Sequence, residues 1–328
     1  MRAWQVPRHG EPIEVLQRAE IDEPAPGPGD VRVRVAAAAI GLHDVLMCRD
    51  AYAYKPPVPF VPGQEVCGVV DALGEGVTTV AVGARVMGVT NFFDGHGGLA
   101  DATLLRADTA HRVPETMSDV DAASFRIGFS TAWAALVRRG ALVAGESLVV
   151  LGAAGGSGAA AVQLGHALGA HVIAVAAGAK KLELCRTLGA DMVVDRTTAS
   201  VADAVLAATD GRGADLLFDP VGGEPAAAAL PALGRGARIL AIGFASGSWV
   251  EVATRDLVWR NQSLVGVLAT APSREQDEAD HEALLALAAD GSLESFATTV
   301  RFDDVPAAVD AVATGAAVGK LVAEIGVA

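Results

Sequence analysis

From Leu148 to Ala170 the chain reads LVVLGAAGGSGAAAVQLGHALGA: an apolar run, a turn of small residues, then a helix-forming stretch. A short uncharged run bounded by glycine reads as a strand buried on both faces, and such strands lie in parallel sheets covered by helices. The same grammar repeats along the chain. SLVVLGA, HVIAVAA, DMVVD, ADLLFD and RILAIG are strand-like, while GAAAVQLGHALG, KKLELCRTLG, VADAVLAAT and PAAAALPALG between them are helix-like. Strands and helices in alternation, joined by right-handed crossovers, define a doubly wound α/β unit with a parallel sheet.

The part before it has a different texture. VRVRVAAAAI (31–40) alternates like a half-buried strand, EVCGVVDALGEGV and VGARVMGVT look like glycine-punctuated strands, and YKPPVPFVPGQE is a rigid proline-rich loop. DAASFRIGFSTAWAALVRRG reads as a helix stopped by Gly140, and DEADHEALLALAADG as a later one, ahead of a final strand, GKLVAEI. A chain of 328 residues outgrows most single cores. The expected division is a β domain of residues 1–120 and 262–328 around an α/β domain of residues 121–261.

Bulk properties remove several function classes. With 25 basic against 39 acidic residues, the net charge of −14 gives no electrostatic footing on nucleic acid. No apolar run approaches the ~20 residues that span a bilayer, and the N-terminus lacks a signal-type apolar core. The three scattered cysteines, Cys48, Cys67 and Cys185, form no CxxC pair and suit a reducing cytoplasm. A soluble cytoplasmic protein acting on a small molecule is expected.

The turn Ala153-Ala154-Gly155-Gly156-Ser157-Gly158 nearly matches the GxGxxG fingerprint, with Ala153 for its first glycine. Gly155 lets backbone approach a pyrophosphate, the helix N-terminus favours its charge, and Gly158 allows close helix–strand packing. An NAD site usually offers a carboxylate about 20 residues further on, at the end of the second strand. Here that strand ends in Ala176, Ala177 and Gly178, followed by Lys180 and Lys181, and Arg196 follows the third strand. A missing carboxylate beside basic groups favours the 2′-phosphate of NADPH.

These motifs, with PVPFVPGQEVCGVV, GGLADATLL, GFSTAWAAL, GRGADLLFDPVGG and GKLV in order along nearly the whole chain, resemble the medium-chain dehydrogenase/reductase superfamily. The resemblance is to its zinc-independent quinone oxidoreductases. It implies a GroES-like β domain, a Rossmann domain, and a homodimer built by pairing Rossmann sheet edges. It also implies that Thr131 lies near the cofactor, that Lys181 and Arg196 contact the 2′-phosphate, and that Gly243, Phe244, Ala245 and Ser246 form the loop beside the nicotinamide ribose.

Zinc members of the superfamily use a cysteine after the early strand and the histidine of GHE. This chain has His43 near the first position and Gly63-Gln64-Glu65 at the second, so no metal is expected. Where quinone reductases carry GVNxxD, it reads GLHDVL, placing His43 and Leu46 at the polar positions. Tyr52 matches the family tyrosine of the substrate cleft, and Asn261 a nearby segment. His43 and Tyr52 are the candidate donors to a developing enolate, with Leu46 and Asn261 as substrate contacts. Hydride acceptors that need no Lewis acid are quinones and α,β-unsaturated carbonyls. The alternatives are an enoyl-thioester reductase and an NADPH-binding sensor with weak catalysis.

Overall fold

A computed structural model describes residues 1–53, 55–269 and 273–326. The chain divides into two compact units, 1–127 with 295–328, and 128–294.

The first unit is mostly β. Strands β1 (Arg2–Gln5) and β2 (Gln17–Glu20) pair with each other, flanking the short helix α1 (Pro12–Val15). A larger sheet is built on β3 (Asp30–Ile40), β4 (Glu65–Leu73), β5 (Arg85–Val89), β6 (Ala102–Arg106) and β7 (His111–Arg112). β3 alternates half-buried and buried residues at first, then is buried at every position from Val35 to Ile40. β4 pairs along it from Val31 to Ala39, while on its other edge β6 covers Asp30 to Arg34 and a further antiparallel partner covers Ala37 to Ile40. Helix α2 (Leu42–Cys48) follows β3 at once. Helix α3 (Asp119–Trp133) carries the chain onward, and its last turns, Ala134–Arg139, widen to π-helix before stopping at Gly140.

The second unit holds a six-stranded parallel sheet. Its members are β8 (Ser147–Leu151), β9 (His171–Ala176), β10 (Met192–Asp195), β11 (Ala214–Asp219), β12 (Leu233–Ala241) and β13 (Ser263–Gly266). They run in the order β10-β9-β8-β11-β12-β13, the doubly wound order that reverses between β8 and β11. Helices α4 (Gly156–Ala167), α5 (Ala179–Thr187), α6 (Val201–Ala208), α7 (Gly223–Ala229) and α8 (Thr254–Arg260) follow successive strands. Helix α4 is buried from Gly158 to Gly165, as a small-residue helix must be to lie flat on a sheet. Helix α9 (Arg274–Ala289) belongs here too: Gln163 on α4 exchanges hydrogen bonds of 3.1 and 2.6 Å with the Glu294 backbone.

The return to the first unit therefore falls at Ser295, not at 262. β13 pairs in parallel with β12 from Arg238 to Ala241, which keeps that segment in the second sheet. β14 (Ala297–Arg301), α10 (Val305–Ala313) and β15 (Lys320–Glu324) then complete the first unit, where β15 pairs with β3 and β14. Val33, Val66, Leu105, Phe302, Val309 and Ala323 share its core. Among the described residues no helix is long and apolar enough to cross a membrane.

Candidate functional site

Ligands of doubly wound sheets settle outside the carboxyl ends of the strands, at the point where strand order reverses. In the second unit the loop after β8 stands at that point. Ala153 and Ala154 are buried, the Ala153 amide donates to Val175 O at 3.1 Å, and Gly155 caps α4. The first-turn amides of α4, Gly156 to Gly158, have no intrahelical acceptor, and no acidic residue lies in that turn. This end of α4 is built for an anion. Gly158 is required here, because a Cβ would run into Gly152 O and meet Ala153 Cα at 2.9 Å. Gly128, on α3, closes on the same loop: a Cβ there would stand 3.2 Å from Gly156 O. Thr131, three residues further along α3, is buried.

The next two strands bring three more residues together. The Arg196 amide donates to Ala176 O at 3.0 Å, and the Lys181 amide to Gly178 O at 3.1 Å. Gly178, Lys181 and Arg196 thus gather at the carboxyl ends of β9 and β10. The sequence missed a fourth member, Asp195. Its carboxylate accepts from the Gly178 amide at 3.3 Å, the Thr197 amide at 3.0 Å and the Thr197 hydroxyl at 2.6 Å. Those bonds from Thr197, with Gly178 and the charge of Arg196, hold it below the usual carboxylate range. Only the pairing of β10 beside β9 reveals the approach; its spacing from the glycine loop does not.

On the other side of the reversal, Gly243, Phe244, Ala245 and Ser246 follow β12. Asn261 does not join them. It caps α8 in a left-handed conformation, φ 54°, and its neighbours Arg260 and Gln262 bond to Leu233 O, where β12 begins. This is the amino-terminal end of the parallel sheet, opposite the glycine loop, and what the structure shows of Asn261 is a helix cap.

In the first unit, His43 and Leu46 are three residues apart on α2, on the half-exposed face, while Asp44, Val45, Met47 and Cys48 are buried. Asp44 is fully committed: it accepts from the Gly41 amide at 2.8 Å and from the Gly63 amide at 2.7 Å. Glu65 accepts from the Ile127 amide at 2.8 Å and from Lys320 Nζ at 2.9 Å. His43 Nε2 lies 3.4 Å from Asp44 Oδ2 but makes no hydrogen bond. Burial pushes the imidazole pKa down, Asp44 and Glu65 opposing and Lys320 assisting, which keeps the ring neutral. Tyr52 packs half-buried against the core of this unit. Among the described residues no three His, Cys, Asp or Glu side chains stand together as metal ligands. With both carboxylates taken up by backbone amides and a lysine, this donor set does not suit a zinc ion.

Comparison with known proteins agrees with both halves. Residues 27–115 match the family described as alcohol dehydrogenase GroES-like domain, and residues 156–289 the family described as zinc-binding dehydrogenase. A GroES-like unit joined to a glycine-loop parallel sheet defines a medium-chain dehydrogenase/reductase, and the chain belongs to that superfamily. It is an oxidoreductase of this nicotinamide-dependent class. Within the class it is quinone oxidoreductase-like. Rat quinone oxidoreductase-like protein 2 is 36% identical over 258 residues, covering 77% of this chain and 73% of the relative. A Pseudomonas syringae quinone oxidoreductase structure superposes with a TM-score of 0.89 at 25% identity, covering 98% and 99% of the two chains. A mycobacterial structure complexed with NADPH gives 0.89 at 27% identity, covering 99% and 100%.

Proposed function

We propose that this protein is an NADPH-dependent, metal-free reductase of quinones or of α,β-unsaturated carbonyls. The observation that carries the reading is the α4 N-terminus, where Gly158 lets the helix close against Gly152 and the first-turn amides, with no acidic residue beside them, suit an anion. Ala154, Gly155, Gly156, Ser157 and Gly158 would hold the pyrophosphate. Lys181 and Arg196, beside Gly178, would hold the 2′-phosphate, and Thr131 with Gly243 to Ser246 the nicotinamide half. When bound, the reduced nicotinamide supplies a hydride, two electrons and a proton moved together. His43, kept neutral by burial, and the Tyr52 hydroxyl are the groups able to donate to oxygen as negative charge grows there. Leu46 gives the same helix face an apolar contact for the acceptor. Water delivers the final proton. The commitment of Asp44 and Glu65 to other partners supports chemistry without a metal.

One observation favours a second reading of the cofactor. Asp195 reaches Gly178 from the adjacent strand, and a carboxylate there would accept from a ribose hydroxyl and repel a 2′-phosphate. NADH would then be preferred.

Purified protein should consume NADPH with a quinone or enone from a panel that also includes enoyl thioesters. Tight NADPH binding without turnover of any acceptor would favour a sensor, and turnover of thioesters alone the other reductase.

Self-association through the sheet edge belongs to the same reading. Among the described residues β13 is an edge strand, and Val258, Trp259, Leu264 and Leu268 around it are exposed. An unpaired apolar edge is a template for strand pairing, here by a second copy. Light scattering should give a dimer mass that Leu264→Lys lowers; a monomeric wild type removes the idea.

A further inference from the structure

We propose that Asp219 is a positioning residue for the nicotinamide half of the cofactor site, acting through the turn Pro220–Gly223. The inference rests on the nucleotide reading above. Asp219 ends β11, directly across the strand-order reversal from β8, and its side chain is wholly buried. One carboxyl oxygen, Oδ1, accepts from the Gly222 amide at 2.7 Å and the Val221 amide at 2.9 Å. The other, Oδ2, is buried without a hydrogen-bond partner. Burying such an oxygen is costly, so its presence calls for an explanation. Burial pushes this carboxyl's pKa up, against the two amide bonds that favour its charge.

The turn that Oδ1 fastens is itself fastened to the loop after β12. Asp219 O accepts from the Ile242 and Gly243 amides at 2.9 and 3.3 Å, Pro220 O from Ala245 at 3.2 Å, and Val221 O from Ser246 at 2.9 Å. The two loops close so tightly that a Cβ on Gly222 would overlap Ser248 O, and one on Gly243 would stand 2.8 Å from Pro220 O. Gly243, Ala245 and Ser246 are thus each tied to Asp219 or to the turn whose shape one of its carboxyl oxygens sets. These loops lie on the β11–β12 side of the reversal, while Gly178, Lys181 and Arg196 lie on the β9–β10 side. A dinucleotide spanning the crevice places one nucleotide on each side. Asp219 therefore acts on one half of the cofactor alone.

The test compares two ligands by calorimetry: NADPH, and adenosine 2′,5′-bisphosphate as a probe of the other half. Asp219→Ala should weaken NADPH by about tenfold, the scale of losing one or two net hydrogen bonds, and leave the bisphosphate unchanged. Asp219→Asn keeps the Oδ1 acceptor and should stay within about twofold of wild type. If the alanine variant does not fold, Asp219→Glu, which carries its acceptor one methylene further out, should show the same split. Equal loss of both ligands marks a merely structural residue and overturns the proposal. So does no loss of either, or an asparagine variant as weak as the alanine one. A wild type that binds NADH alone is compared with NADH and adenosine monophosphate in their place, and one that binds neither NADPH nor NADH removes the nucleotide reading, and this inference with it.

Discussion

Lys320 Nζ stands 2.9 Å from Glu65 Oε2, with both side chains almost wholly removed from solvent and 255 positions apart in sequence. Attraction between such charges is strong, but desolvation consumes much of it, so the pair's net worth is small. Removing one partner is different, because it strands the other charge. Lys320→Met should cost about 3–5 kcal/mol in urea unfolding. The double variant with Glu65→Gln should recover most of that. A Lys320→Met protein as stable as wild type would contradict the geometry.

His43 predicts an acid limb. Burial lowers its folded pKa beneath the ordinary 6.5, so below that value the unfolded chain binds more protons than the folded one. The contribution is therefore present above 6.5 and is lost as pH falls through the window beneath it. Compared with His43→Gln, the wild type should lose unfolding midpoint progressively on acidification and show a constant difference at higher pH. Parallel pH profiles for the two proteins would refute this.

Lys181 and Arg196 stand opposed to Asp195 in cofactor choice. If the basic pair holds a 2′-phosphate, alanine at either should weaken NADPH by about tenfold and leave NADH unchanged. If Asp195 takes a ribose hydroxyl, Asp195→Asn should weaken NADH and strengthen NADPH. Fluorescence titration with both nucleotides decides between them.

The cysteines should be silent in the folded protein. All three are buried, and burial pushes Cys48 and Cys67 up to about 12 and Cys185 to about 11, so almost no thiolate exists near neutrality. A thiol reagent should label none of them until denaturant is added, and all three afterwards. Rapid labelling of native protein would show that one of these sites opens.

Much of this was legible in the sequence because it rests on local pattern. The uncharged strand runs, the helices between them and the small-residue turn at 153–158 each carry their own signal. What was not legible depends on sheet order. Asp195 comes to Gly178 only because β10 lies beside β9, and Asp219 matters only because the loops after β11 and β12 are laced together. SLVG, at four residues, is too short to announce that it extends the β12 edge, so the return to the first unit was expected too early. The left-handed cap that Asn261 forms at the end of α8 carries no local signal that sets it apart from a loop residue.

The pairing of β15 with β3 also bears on how the molecule comes into being. A ribosome delivers β3 well before β15, with the whole parallel-sheet unit made between them. Until then the second half of β3 waits with one edge open, and Glu65 has no lysine. The first unit to begin is thus the last to finish, and the contiguous unit folds while its older neighbour is still unsealed. A chaperone following this chain would find its prolonged exposure at Ala37 to Ile40.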